Sequence, residues 1–327
     1  YPILGSAYYD YLLDKEFYTP ATDRHIEDWI DTHFIFNKNT QPLGGDSIQE
    51  VVSVPDSRVN CILILAESLE SWLLEQTVEG QELMPYMNRL LQDSTTLYAP
   101  HVLSQVKGGR SIDAQLMINT GLLPINTGAY SLKHPFTCFP SLVKAMEKKH
   151  GDVYACILTA DKPIVWNQNV MAPAFGYDSL LSKKDFIQNE MVGPHYRHQL
   201  GDVSLLKQCA EKIRDRKIWQ GKANVVQIVT YSGHFPFVIP EYLKTISFSE
   251  KIPALMRDYM TAANYTDRAL GLFVEALRSD PEYGNTLIVI TGDHEGLADL
   301  RDNFCQSRIG YGVVSENPYT PLIIVNI

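Results

Sequence analysis

No run of apolar residues in this 327-residue chain approaches the roughly 20 that a helix needs to span a bilayer. The basic, apolar and small-residue succession of a signal peptide is also missing. The five cysteines (Cys61, Cys138, Cys156, Cys209 and Cys305) are dispersed, with no Cys-x-x-Cys spacing. This excludes a disulfide framework and a zinc knuckle, and leaves the redox compartment open. Positive charge is in short supply: 28 Lys+Arg stand against 38 Asp+Glu, a formal charge of -10. That balance argues against a surface built to track nucleic-acid phosphates. The chain contains no internal repeat and no low-complexity tract.

What is present suits a folded enzyme-sized body. With 45% hydrophobic and 10% aromatic residues the chain can bury a substantial core. Its length fits one large α/β domain or two ordinary ones. Residues 1–55 are aromatic-rich and irregular, with short helices expected near 8–13 and 25–36 and a linker at 41–46. The chain starts at Tyr1-Pro2 without methionine and stops inside a strand-like run, 321–327. It therefore reads as part of a longer polypeptide. The expected division is a 1–55 segment leading from an upstream part, then a main domain over 56–327 cut near its C-terminal end.

Within that domain, apolar β-branched runs at 61–66, 153–159, 224–230 and 286–292 predict buried strands. Helices are expected at 83–93, from 114 to 123, and over 252–279, where apolar residues recur every three or four positions. Pro253 and Pro281 mark the ends of the last one. Strands alternating with helices predict an α/β fold: a mainly parallel central sheet with helices on both faces. Cys61 and Cys156 lie in strand runs and are read as small hydrophobes.

In such a sheet, ligands gather at the carboxyl ends of the strands. Glu67 follows the first strand, His234 the third, and Asp293 with His294 the fourth. A carboxylate next to an imidazole can offer one cation a hard oxygen and a borderline nitrogen. The bland alternative is a turn in which Asp293 caps a helix and His294 is merely exposed. Lys107, two glycines and Arg110 lead into Ser111 at a helix start, where amide groups and the helix dipole favour an anion. The competing reading makes Ser111 a simple N-cap, and Asp113 a brace for its loop. His195 and His198 are read as surface residues; His101 and His134 have no evident partner. Four ligand or acid-base groups on one rim, with a glycine-flanked serine, tip the balance toward a metal-dependent active site.

Taken together, Glu67, the basic-Ser-x-Asp run Arg110-Ser111-Ile-Asp113, His234-Phe-Pro-Phe237 and Gly292-Asp293-His294-Glu-Gly296 resemble the lipoteichoic acid synthase (phosphoglycerol transferase) branch of the alkaline phosphatase/sulfatase superfamily. Trp166-Asn167 ahead of Phe175-Gly-Tyr177, and 264–271, resemble it too; the likeness covers about residues 60–327. The resemblance implies that superfamily's fold and one divalent cation, manganese first, with magnesium, zinc or calcium as alternatives. It would be held by Glu67, Asp293, His294 and the Ser111 hydroxyl. It implies that Ser111 is the nucleophile, that Arg110 neutralises charge on the phosphoryl oxygens, and that His234 contacts substrate or assists the leaving group. Trp166 and Gln168 would lie at the substrate.

Two departures stand out. The family's Trp-Asn-Arg appears here as Trp166-Asn167-Gln168, which removes a charge-assisted phosphate contact that glutamine cannot replace. The Cys/Ser-x-Pro-x-Arg signature of sulfatases is absent after Ser111, which disfavours a formylglycine sulfatase. The implied activity is transfer of a phosphoglycerol or related head group from a lipid-derived phosphodiester donor to a glycan or lipid hydroxyl, through phosphorylated Ser111. The alternatives are a phosphodiesterase, phosphatase or sulfatase-type hydrolase of the superfamily, and a non-catalytic domain keeping the fold. The resemblance further implies the extracytoplasmic face of a bacterial membrane, with a membrane tether upstream, and no nucleic-acid partner.

Overall fold

A computed structural model of the chain describes residues 59–301, 314 and 317–327. The helices expected near 8–13 and 25–36, the 41–46 linker and Cys305 lie outside these residues. In chain order the main elements are β1 (Asn60–Ala66), α1 (Pro85–Leu91), β2 (Thr96–Leu103), α2 (Ser111–Thr120), α3 (Leu142–His150), β3 (Val153–Thr159), α4 (Gln168–Ala174) and β4 (Ser179–Leu181). They continue with α5 (Asp202–Arg214), β5 (Ala223–Val229), α6 (Ala254–Arg278), β6 (Thr286–Gly292) and β7 (Tyr319–Val325).

The seven strands form one sheet in the order β2-β7-β6-β1-β5-β3-β4. β6, β1, β5, β3 and β4 run parallel. β7 is antiparallel to β6, and β2 to β7. The expected mainly parallel sheet is therefore present, with a reversed strand toward one edge. β2 went unread in the sequence: it carries Pro100 and exposes alternate residues, so neither its composition nor its burial resembles the apolar runs. α3 and α5 were also missed: α3 is short and lysine-rich, and α5 interleaves polar residues with its apolar ones.

Alternation along the strands divides the core into two layers. Ile62, Ile64, Leu158, Val226, Ile228, Ile288 and Ile290 pack with α1, α5 and α6. Ala155, Ile157 and Val225 on the other face pack with α2, α3 and α4. α6 buries Met256, Tyr259, Met260, Ala263, Leu270, Phe273, Val274 and Leu277, the spacing that predicted it. α2 is held differently, because much of its buried side is polar. Asn119 Nδ2 donates to Gln227 Oε1 of β5 (2.6 Å), Gln227 Nε2 donates to Gln115 Oε1 (3.0 Å), and Tyr177 donates its hydroxyl to Asn119 (2.8 Å). A satisfied buried network of this kind fixes orientation as well as depth. It sets where the first residue of α2, Ser111, points.

Candidate metal and phosphate centre

Strand register assembles the site. Ala66 pairs with Gly292, so carrying the register on one residue sets Glu67 beside Asp293. Leu65 and Thr159 both pair with Val229, so two residues further on Glu67, Tyr231 and Asp161 share one row. The parallel sheet thus delivers four side chains from distant sequence to one carboxyl-terminal rim.

Ligand atoms of Glu67, Asp293 and His294 lie within 4.8 Å of one another, and all three residues are buried. Asp293 Oδ1 accepts from the amides of Ser68 and His294 (both 2.8 Å). Its Oδ2 is buried and has no hydrogen-bond partner. A carboxylate oxygen left bare in the interior costs free energy unless a cation meets it. His294 donates Nδ1–H to the carbonyl oxygen of Glu295 (2.9 Å), which turns the Nε2 lone pair inward, 3.5 Å from Glu67 Oε1 and from Asp293 Oδ2. This backbone partner is the usual orienting contact for a ligating imidazole. Burial, and next the Asp293 carboxylate, push Glu67 well above the ordinary carboxylate range. Two acids and an imidazole in a dry pocket are a donor set suited to a divalent cation.

Ser111 completes the group. Its Oγ lies 3.3 Å from Glu67 Oε2 and 3.3 Å from His294 Nε2. It is the first residue of α2, and the N-cap position belongs to Arg110, so the simple N-cap reading of Ser111 is corrected. Arg110 holds φ 51° and ψ −118°, a sparsely populated conformation that tilts the hydroxyl out of the helix and toward the sheet rim. Such outliers are tolerated where surrounding structure fixes them, often at functional sites. Asp113 is the brace expected from the sequence: Oδ2 accepts from the amides of Lys107 (2.9 Å) and Gly109 (3.0 Å). Arg110 reaches back to the loop after Asp293, with Nη1 donating to Glu295 Oε1 (2.5 Å) and Nη2 to the Glu295 carbonyl (3.0 Å).

Of the remaining expected residues, His234 lies close enough to the centre to interact with His294 and Asp293. His234 stacks on Tyr231 (centroids 5.3 Å apart, 17° between planes) and donates Nδ1–H to the carbonyl oxygen of Phe235 (2.7 Å). Burial above all, then Arg197 and His294 nearby, lower its pKa from the ordinary histidine value. Trp166 and Asn167 both have φ 55°, and Asn167 is tied by Nδ2 to the carbonyl of Ser131 (3.0 Å). Gln168 is 2% exposed, and its Oε1 has no hydrogen-bond partner. His195 and His198 are exposed, as expected.

Several supporting residues were not singled out in the sequence. Glu70, fully buried, accepts from the amides of Gly296 (2.7 Å) and Leu297 (3.0 Å) and so pins the loop after His294. Thr230 Oγ1 accepts from the Glu67 amide (2.9 Å). Tyr259 of α6 donates to the Ser68 carbonyl (2.6 Å). Asp202 accepts from the amides of Tyr231 and Ser232 (2.9 and 3.1 Å), holding the turn before His234. Glu70 was legible, three residues past Glu67; the others gain meaning only from contacts far along the chain.

The Sulfatase family profile matches residues 59–302, and the chain belongs to this family. It is 28% identical over 251 residues to the lipoteichoic acid synthase-like YvgJ of Bacillus subtilis, covering 77% of this chain and 39% of the relative. Against the lipoteichoic acid synthase of Staphylococcus aureus it is 25% identical over 262 residues, covering 77% and 38%. The chain therefore spans about two fifths of the length of these relatives. Among solved structures, the lipoteichoic acid synthase LtaP from Listeria monocytogenes superimposes with TM-score 0.72 at 20% identity, over 84% of this chain and 68% of that one. The Streptococcus pyogenes phosphoglycerol transferase GacH, solved with sn-glycerol-1-phosphate, gives 0.59 at 14% identity, over 82% and 68%. The same fold is found in a protein of the alkaline phosphatase superfamily from Vibrio parahaemolyticus, with TM-score 0.63 at 20% identity. Among the described residues no helix is long and apolar enough to cross a membrane.

Proposed function

We propose that this chain carries the catalytic centre of a phosphoglycerol or related head-group transferase that uses Ser111 as its nucleophile. The observation that supports this most is the convergence of the Ser111 hydroxyl on Glu67 and His294, beside the bare Oδ2 of Asp293. Glu67, Asp293, His294 and Ser111 would hold one divalent cation, manganese in the first instance. When bound, it would supply Lewis-acid stabilisation of negative charge on oxygen, which a serine hydroxyl needs near neutral pH.

Ser111 Oγ gives up its proton and attacks the phosphorus of the donor phosphodiester, the bond from phosphorus to the lipid alcohol breaks, and the departing alkoxide takes up one proton in turn, so that none is gained or lost overall. An acceptor hydroxyl of a glycan or lipid then displaces Ser111 from phosphorus and gives up its own proton. Arg110, anchored on the carboxylate and carbonyl of Glu295, adds positive charge beside the reacting oxygens. His234 handles the proton on the open side. Its Nδ1–H is engaged by Phe235, so Nε2 is the atom left to exchange one. With its pKa lowered, the resting ring is neutral, which suits taking the acceptor's proton better than supplying the leaving group. Trp166 would pack against the head group. The domain division, an upstream membrane tether and a place on the extracytoplasmic face belong to the same reading.

The test is Ser111→Ala combined with trapping. Turnover of a phosphoglycerol lipid should vanish, and wild-type protein quenched during turnover should yield a phosphorylated peptide containing Ser111. Retained turnover in Ser111→Ala defeats the reading; release of free head group without an acceptor would shift it to hydrolysis.

A further inference from the structure

The mouth of the centre is acidic. Glu67 and Asp293 lie at its floor, and Asp161, at the end of β3, is close enough to act on Glu67. A phosphodiester approaching such a rim needs a cation on the way in. Arg110 has its guanidinium occupied by Glu295, and Gln168 is uncharged and buried. Lys183 is bonded to Gln199 and to the His198 carbonyl. Arg197 is different. Among the described residues its guanidinium makes no hydrogen bond or ion pair, and its Cζ lies 5.9 Å from the centroid of Tyr231.

Its backbone is well fixed although the side chain is exposed. Arg197 lies on the loop of a two-stranded ribbon, Met191–Val192 with Gln199–Leu200. The Tyr231 hydroxyl donates to the Arg197 carbonyl (3.1 Å). Gly193, at φ +87°, lets the loop close on the same ring, and a Cβ there would come within 2.9 Å of the Arg197 carbonyl oxygen. Gln199 Nε2 donates to Asp161 Oδ1 (2.7 Å), tying the ribbon to the end of β3. The ring that carries the arginine also stacks on His234. Arg197 acts electrostatically on both Asp161 and His234. A positive group is thus aimed at the rim from a rigid mount, with its donors free.

We propose that Arg197 is a substrate-binding residue that grips the phosphate of the donor's head group on the His234 side of the Ser111 centre. This rests on the phosphotransfer reading above and names the cation that would hold the anionic substrate. A guanidinium suits the task because its fork can meet two phosphate oxygens.

The experiment uses the 327-residue chain with manganese present. Binding of sn-glycerol 1-phosphate is measured by calorimetry, and turnover with a p-nitrophenyl ester of glycerol phosphate. Arg197→Gln should weaken binding and raise KM roughly 10- to 100-fold, as expected for loss of a charge-assisted contact, with kcat held within about threefold. Arg197→Lys should recover part of the loss, because charge returns without the fork. Thermal melting of both variants should match wild type, since the side chain is exposed. Ser111→Ala should bind the probe and fail to turn over. Unchanged KM and affinity in Arg197→Gln, with Ser111→Ala inactive, would overturn the role of Arg197 and leave phosphotransfer standing. Turnover surviving Ser111→Ala would instead remove the phosphotransfer reading, while probe binding that still depends on Arg197 would keep it as the anion contact.

Discussion

The hydroxyl of Ser111 lies 3.3 Å from Nε2 of His294, although 183 positions separate the two residues in the chain. Two constructions meet there. A helix start bent by the Arg110 backbone aims the serine, and a strand end in register with β1 places the histidine.

Because Asp293 Oδ2 is bare and Glu67 is pushed up by burial and by Asp293, the ion-free protein should be sensitive to pH and to metal. An acid whose folded pKa exceeds its unfolded one binds more protons when folded, so its contribution to stability falls as pH rises. Melting temperature without metal should therefore decline from pH 5 to 8. Added manganese should reverse the decline, contributing about 2.7 kcal/mol at a hundredfold excess over Kd. The gain should grow with pH because binding requires Glu67 to be ionised. A manganese effect unaltered in Asp293→Asn would contradict this assignment.

His234 gives a second pH signature. With its pKa lowered from 6.5, the ring is mostly neutral at that pH, so the acid limb of kcat should have its midpoint below 6.5. His234→Gln should lose roughly 10²- to 10⁴-fold in kcat, the range for a positioned acid or base, and any acid limb that remains should report metal loss alone. A wild-type limb centred above pH 7 would show that some other group controls the rate.

Gly292 closes the strand before Asp293. A Cβ there would overlap the backbone oxygen of Leu69, and backbone at that place cannot step aside without separating β6 from the segment carrying Glu67. Gly292→Ala should therefore abolish stoichiometric manganese binding, measured by metal analysis after gel filtration, while circular dichroism keeps most of its helix and strand signal. Full metal occupancy in the variant would show that the strand ends are not rigidly coupled.

Asp267 of α6 is fully buried and accepts from the amides of Tyr86 (2.9 Å) and Met87 (2.7 Å) at the start of α1. Asp267→Ala would leave two buried donors unpaired, at a cost of roughly 2–5 kcal/mol. Denaturant melts should show this loss, and a change under 1 kcal/mol would mean that water reaches those amides. Since Asp267 lies about two turns along α6 from Tyr259 and, among the described residues, bonds only to α1, kcat of the folded fraction should be unaffected.

The sequence alone determined the strand runs at 61–66, 153–159 and 286–292, the long apolar period of α6, and the fact that Glu67, His234, Asp293 and His294 each follow a strand. Those features are local: a β-branched run or a three-to-four spacing carries its own physical signature, and a parallel sheet sends every strand end to one rim. Only the tertiary structure decided which rim residues share a row, because register depends on pairing between distant segments, such as Ala66 with Gly292, 226 positions apart. It also decided that Ser111 points at His294 and that Glu70 pins the 296–297 loop. Nothing in the sequence singled out Arg197; packing of its loop on Tyr231 is what sets it beside His234.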